Sequence, residues 1–323
     1  RADMSSIIPA APLKIGTRGS RLARWQADWV ADALRAAHPG LVVEIVEIKT
    51  KGDRDRNSPL AAIGGTGLFT KEIQRAVCEG VTDVAVHSLK DLPTQTPEEL
   101  ILGAVPTRED VADVLIAPVH LSLAALPPGA RVGTGSIRRR AQLLFKRPDL
   151  EVTTIRGNVE TRLNQALEGK LDAVMLASAG LRRLGLEARA TERLGPPDFL
   201  PAVGQGALGI ECRRDDSTTR GLLAALDDPD AHRAVVAERR ALAELEGGCM
   251  IPMAAWGRRS EDENGREPRL LLDAVVLDAD GKRRVVSSLE GPLDDPEALG
   301  LRVAQALREA GAEPLLAAFR RTR

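Results

Sequence analysis

Along the first two thirds of the chain, short apolar runs alternate with longer segments whose apolar residues return every three or four positions. The runs predict strands at Leu13–Thr17, Val42–Ile48, Val81–Ser88, Ile101–Val105, Val114–Ala117, Arg131–Thr134, Val152–Ile155, Ala173–Leu176 and Leu208–Cys212. Several are apolar at nearly every position, as in strands covered on both faces. The longer segments predict amphipathic helices. In Ser20–His38, the residues Leu22, Trp25, Trp29, Val30, Ala33 and Leu34 share one stripe, and Pro39-Gly40 ends it. Arg138–Lys146 and Val159–Glu168 are shorter helices of the same kind. This alternation predicts α/β architecture with largely parallel sheets.

After about residue 228 the pattern changes. A helix over Asp230–Glu246 leads to a strand, then to the alternating strands Leu270–Leu277 and Arg283–Leu289 and a final helix Asp295–Ala310. That predicts an α+β domain with a small antiparallel sheet, in which the charged insert RRSEDENGREP (258–268) is a hairpin loop. A boundary falls near Val105–Val111. A second follows LPPG at 126–129 unless that is only a loop, and Gly195–Gly206, with three prolines, reads as a crossing between lobes. The expected domains are 10–106 with 207–224 returning to it, 112–200, and 229–323.

Composition narrows the function. With 323 residues, 43% hydrophobic and 28% charged, the chain is an ordinary globular protein of two or three domains. No apolar stretch approaches the roughly 20 residues of a membrane span, and the opening RADMSSIIPAAPLK lacks the apolar core of a secretory signal. Most of the 45 basic residues are arginine, yet the net charge is −1, and aromatic content is 2% with no tyrosine. RNA or single-strand binding would want a basic balance and stacking platforms. The three cysteines are too far apart for a disulfide framework or a CxxC metal site, and the four histidines are scattered. The expectation is a cytoplasmic protein without metal, nucleic acid or membrane partners.

Where the arginines sit is more telling. IGTRGSRLARWQ (15–26), VGTGSIRRRAQLL (132–144) and IRGNVETRLNQAL (155–167) each run from a strand through small polar residues into a helix, with guanidinium groups at or near its first turn. Free backbone N–H groups at a helix N-terminus together with a guanidinium make an anion site. A cation there opposes the helix dipole, so stability does not explain it. In open sheets such junctions line the ligand crevice, and arginine suits carboxylates or phosphates held by paired hydrogen bonds. Of the three adjacent arginines, Arg140 reads as the solvated one. VAVHSLKDLPT (84–94) ends another strand with Lys90 and Asp91. Either Asp91 caps a turn with Lys90 as its surface partner, or it stands as a lone carboxylate in a positively lined cleft, ready to stabilise a cation forming on a substrate.

ELEGGCMIPMAAWG (244–257) places a cysteine behind two glycines. The glycines either end a helix, with Cys249 starting a buried strand, or free the backbone so that Cys249 can carry something bulky. Two other motifs mislead. GQGALG (204–209) precedes a strand instead of following one, so it fails as a dinucleotide fingerprint. GGTGLFTKE (64–72) lacks the ending of a phosphate loop and reads as a mobile Gly-rich loop after KGDRDR (51–56), a candidate lid.

Taken in order, IGTRGS, GGTGLF.KE, VHSLKDLP, GTGSIRR, RGNVETRL, AGLRRLGL, LPAVGQGALGIE and LEGGC.IP resemble the porphobilinogen deaminase family, also called hydroxymethylbilane synthases, from about Leu13 to the C-terminus. The resemblance implies two lobes like those of periplasmic binding proteins and a third domain carrying Cys249. It implies a dipyrromethane cofactor in thioether linkage to Cys249. It also implies that four porphobilinogen molecules lose ammonia and join head-to-tail on that primer, and that hydrolysis releases 1-hydroxymethylbilane. Each pyrrole ring carries an acetate and a propionate, which gives the arginines a purpose. By resemblance, Lys90, Ser136, Arg138 and Arg139 hold the cofactor's acid groups, while Arg18, Ser20, Arg156, Arg162 and Arg183 bind the incoming ring, with Gln205 nearby. Asp91 matches the catalytic carboxylate, and the enzyme is expected to act as a monomer.

Two positions depart from the family pattern. Gly135 stands where the first of two serines is common, which puts one cofactor hydrogen bond in question. Thr66 stands where the Gly-rich loop often carries lysine. Two other readings fit fewer of the residues: a solute-binding protein for an organic polyanion, which predicts no adduct on Cys249, and a cysteine hydrolase, for which no histidine stands in a recognisable relation to Cys249.

Overall fold

The computed structural model describes residue 9 and residues 11–50, 70–245, 251–260 and 267–320. Among these the strands are β1 (Leu13–Thr17), β2 (Val43–Glu47), β3 (Val84–Ser88), β4 (Leu100–Ala104), β5 (Asp113–Ile116), β6 (Arg131–Gly133), β7 (Glu151–Thr153), β8 (Ala173–Ala177), β9 (Glu192–Leu194), β10 (Leu208–Arg213), β11 (Met253–Arg259), β12 (Leu270–Leu277) and β13 (Arg284–Gly291). The helices are α1 (Arg21–Ala37), α2 (Lys71–Cys78), α3 (Ile137–Lys146), α4 (Val159–Leu167), α5 (Ser178–Arg183), α6 (Ser217–Leu223), α7 (Pro229–Glu244), α8 (Pro296–Glu309) and α9 (Glu313–Arg320).

The chain forms two compact units, Arg1–Arg108 with Ala207–His232, and Glu109–Gly206 with Arg233–Arg323. The first holds a five-stranded sheet in the order β2-β1-β3-β10-β4. β1 runs parallel to β2 and β3, while β10 is antiparallel to β3 and β4. The second unit repeats the plan in the order β7-β6-β8-β5-β9. There β6 is parallel to β7 and β8, and β5 is antiparallel to β8 and β9. In each sheet the strand beside the parallel trio is the one that follows a crossing of the chain into that unit, β10 after residue 207 and β5 after residue 109. Parallel pairing is thus confined to three strands of each sheet. β9, β4 and the short helices α2, α5 and α6 fill in around these frames.

Local sequence explains the helix starts. Ser20, Ser136 and Asn158 accept backbone hydrogen bonds from Ala23, Arg139 and Thr161, each capping a helix that begins at the C-terminal end of a parallel strand. On α1, Ala27, Val30, Ala31 and Leu34 are buried against Ile15, Val84 and Ile210, while Trp25 and Trp29 of the expected stripe remain partly exposed.

The second unit also contains the antiparallel sheet β11-β12-β13. Its core joins Ala237 and Ala241 of α7, Val303 and Leu307 of α8 and Leu316 of α9 to Leu272 and Val276 of β12. β12 falls on the residues its alternation predicts, and Ser260 N donates to Arg269 O at 2.7 Å across the base of the expected hairpin. The expected helix over Asp230–Glu246 is α7, from Pro229 to Glu244. The Gly-rich loop with Thr66, and Cys249 with its two glycines, lie outside the described residues.

Candidate functional site

In the first unit, the C-terminal ends of β1 and β3 lie side by side. β1 leads through the half-buried Arg18 to Ser20, the cap of α1. β3 leads into a 3-10 turn, Leu89–Asp91. Leu89 and Leu92 are buried and anchor this turn, and the Leu89 amide donates to Ala207 O at 3.0 Å. Gly209 on β10 makes room for it, since a Cβ there would lie 2.6 Å from Leu89 Cδ1. Lys90 is left half-buried and Asp91 exposed. Gln26 of α1 donates through Nε2 to Ser88 Oγ at 2.9 Å, tying helix to strand end. A cavity of about 80 Å³ opens there, lined by Arg18, Ser20, Gln26, His87, Ser88 and Asp91 among others. Among the described residues it sets one carboxylate beside one guanidinium. The Asp91 carboxylate has no hydrogen-bond partner among the described residues, so its oxygens are available to donors on a ligand.

Beneath this cavity is a polar group that the sequence reading passed over. Glu211 of β10 is fully buried, accepts from Gln74 Nε2 at 3.0 Å and lies 3.0 Å from His87 Nε2. The only signal for it was a charged residue inside an apolar strand.

In the second unit the arginine junctions behave differently from expectation in one respect. Arg138 and Arg139, at the start of α3, are buried and meet a carboxylate absent from the candidate set, Asp113 at the start of β5. Arg138 Nη1 donates to Asp113 Oδ2 at 2.7 Å and to Leu200 O at 2.8 Å. Arg139 Nε donates to Asp113 Oδ1 at 2.9 Å, and its Nη1 to Met175 O at 3.1 Å. Gln205, also buried, donates through Nε2 to Asp113 Oδ1 at 2.8 Å and to Val111 O at 2.7 Å. Burial alone would raise the Asp113 carboxyl, but the charges of Arg138 and Arg139 hold it well below the usual carboxylate range. A signal for Asp113 did exist: an acid opening a wholly apolar strand requires a cation.

Arg140, read as the solvated member of the three, is instead half-buried and donates to Val152 O at 2.6 Å, pinning α3 to β7. Arg183, at the end of α5, donates to Gly206 O at 2.7 Å, next to Gln205, and burial pushes its pKa down to about 10, against the charge of Glu109, so it remains a cation at neutral pH. Arg156 and Arg162 flank the Asn158 cap and are half-buried. The β7 end adjoins the β6–α3 turn closely: a Cβ on Gly135 would lie 2.8 Å from Ile155 O. A serine at 135 would therefore require this backbone to shift.

Two guanidinium groups against one carboxylate leave the buried cluster with one positive charge. Arg138 Nε is buried without a hydrogen-bond partner. A buried donor left unpaired is unfavourable by about 1–3 kcal/mol, more when charged, so the cluster suits a ligand that brings an acid group. The acetate and propionate groups of a dipyrromethane fit that requirement.

Residues 13–221 match the family described as "Porphobilinogen deaminase, dipyromethane cofactor binding domain", and residues 232–309 match "Porphobilinogen deaminase, C-terminal domain". A porphobilinogen deaminase of Syntrophotalea carbinolica is 48% identical over 310 residues, covering 96% of each chain. That of Geobacter sulfurreducens is 49% identical over 305 residues, covering 94% of each. Among solved structures, a putative methionine-binding lipoprotein of Bacillus subtilis aligns with 67% of this chain and 90% of its own, at 12% identity and a TM-score of 0.42. The sequence matches and the arginine-lined strand ends together define a transferase of tetrapyrrole biosynthesis. The chain belongs to the porphobilinogen deaminase family. It deaminates and joins four porphobilinogen molecules on a covalent dipyrromethane primer and releases 1-hydroxymethylbilane.

Proposed function

We propose a division of this work among the candidate residues. Asp91 is the catalytic carboxylate, Cys249 carries the cofactor, Lys90, Ser136, Arg138 and Arg139 hold its acid groups, and Arg18, Ser20, Arg156, Arg162 and Arg183 receive the incoming ring, with Gln205 supporting them from behind. The observation that carries this reading is the cavity at the ends of β1 and β3, where, among the described residues, a single exposed carboxylate stands beside Arg18. Loss of ammonia from porphobilinogen leaves a cationic, electrophilic methylene-pyrrolenine. A carboxylate stabilises that charge and accepts hydrogen bonds from pyrrole N–H groups, and it can take up a proton as the new bond forms. When bound, the dipyrromethane supplies a free pyrrole α-carbon as nucleophile. Arg18 fixes a ring by its acid group so that its reactive carbon lies near Asp91. A thiol at Cys249 suits the attachment because sulfur is a strong nucleophile toward the same electrophile.

We also take the chain as three domains, 10–106 with 207–224, 112–200 and 229–323, acting as a cytoplasmic monomer. Among the described residues no helix is long and apolar enough to cross a membrane.

Intact-mass spectrometry of the denatured protein, with peptide mapping around Cys249, tests the assignment. The expected result is a mass excess of two condensed pyrrole units on that peptide, absent from Cys249→Ser. An adduct on another residue would sink the attachment site. A chain that stays bare after incubation with porphobilinogen and forms no hydroxymethylbilane would favour the polyanion-binding alternative.

A further inference from the structure

We propose that Asp113 is a positioning residue for the acid-binding side chains of the second unit. It is an internal carboxylate that clamps Arg138, Arg139 and Gln205 and leaves one positive charge for the ligand. The inference rests on the assignment of those three residues above.

A carboxylate has about four lone-pair sites, and Asp113 engages donors from two separate parts of the chain. Oδ1 accepts from Arg139 Nε at 2.9 Å and Gln205 Nε2 at 2.8 Å and lies 2.8 Å from Arg139 Nη2, while Oδ2 accepts from Arg138 Nη1 at 2.7 Å. Two of these residues open α3, and the third lies in the segment just before residue 207. One side chain therefore sets the rotamers of three. Its own position is fixed by β5, which is hydrogen-bonded on both sides, with Asp113 paired to Ala177 and to Leu194.

The stoichiometry argues against a purely structural ion pair. A buried pair built for stability needs one charge of each sign, and an apolar replacement is often as stable. Here a second guanidinium is added, and Arg138 Nε is left buried without a partner. Without Asp113 the two cations would repel each other and lose their common anchor. With a second carboxylate the cluster would be neutral and would not need a ligand. One carboxylate preorganises both guanidiniums and still leaves them short of negative charge, the condition for tight capture of an acid group without reorganisation.

The test follows conversion of apoprotein to holoenzyme by intact mass during incubation with porphobilinogen, alongside thermal melting. Asp113→Glu keeps the charge and moves the carboxylate by one methylene. It should melt near the wild type yet load about 10- to 100-fold more slowly, the scale of an ångström-sized misplacement. Wild-type loading by a folded Asp113→Glu would overturn the proposal, even if its melting temperature had fallen. Arg139→Gln separates this outcome from failure of the site assignment. If Arg139→Gln also loads normally, the assignment is wrong; if it loads slowly while Asp113→Glu does not, only the clamp is wrong. Should Asp113→Glu fail to fold, Asp113→Asn/Arg139→Gln removes one charge of each sign. Loading well below that of Arg139→Gln alone would support the clamp, and loading equal to it would refute it.

Discussion

Asp91 and Asp113 are both aspartates near strand ends, and their surroundings are opposite. Asp91 sits on a turn held from both sides by buried leucines, and its carboxylate bonds to no described residue. Asp91→Asn should therefore leave the melting temperature almost unchanged while turnover falls by about 10²-fold or more. Steady-state kinetics and a thermal scan of the same sample check both halves. Asp113 is fully buried and held below the usual carboxylate range by two guanidiniums. Its folded-state pKa lies under the roughly 3.9 of an exposed aspartate, so the unfolded chain binds its proton more readily. The stabilisation is thus present above about pH 4 and is lost as the pH falls further. Urea denaturation of wild type and Asp113→Asn should show a gap at pH 7 that begins to narrow as the pH falls below 4. Of the two, the sequence singles out only Asp91, whose Lys-Asp-Leu-Pro turn after an apolar strand is a local pattern that leaves a turn cap and a lone carboxylate both open. The partners of Asp113 lie 25, 26 and 92 positions away, and no local pattern links them.

At the scale of elements, the glycines of GQGALG, which precede a strand and so fail as a dinucleotide fingerprint, matter for another reason. Gly206 has φ +86°, and a Cβ there would lie 2.3 Å from Glu109 O. Gly204 N donates to Glu238 Oε2 at 2.7 Å, and Gly257 N to Oε1 of the same carboxylate at 2.7 Å. A buried glutamate on α7 thus ties the segment bearing Gln205 to β11. Gly206→Ala should destabilise the protein by more than about 1 kcal/mol, since both the positive φ and the close backbone oppose a side chain. A lowered denaturation midpoint would show it, and an unchanged one would contradict the geometry. The strand ends were readable because each apolar run passes through small polar residues into an amphipathic stripe; that Ser20, Ser136 and Asn158 cap the helices is seen only in the structure. The direction of β5 and β10 was not readable either. An apolar run looks the same whether its neighbours are parallel or antiparallel, and here the direction is set by where the chain re-enters a unit.

For the whole molecule, three crossings between units matter more than any single contact. β10 lies inside the first sheet, between β3 and β4, yet it comes from residues 208–213. A fragment ending at Arg108 would lack that strand and should show no cooperative unfolding. Joining residue 106 to residue 207 by a short linker should restore a transition, because β4 and β10 are antiparallel neighbours and the Asp228 amide donates to Val105 O at 2.9 Å. Circular dichroism with urea titration distinguishes the two. The α/β plan was legible from the alternation of runs and stripes. The insertion of the returning strand into the middle of a sheet was not, since nothing in LGIEC names its neighbours. That insertion bears on how the protein is made. All five strands of the second sheet lie within Asp113–Leu194, so a ribosome delivers that sheet complete while the earlier-synthesised one still lacks a strand. The part of the chain made first is thus among the later parts to fold, and nascent first-unit strands must wait, edges open, for roughly the 5–20 s that translating another hundred residues takes.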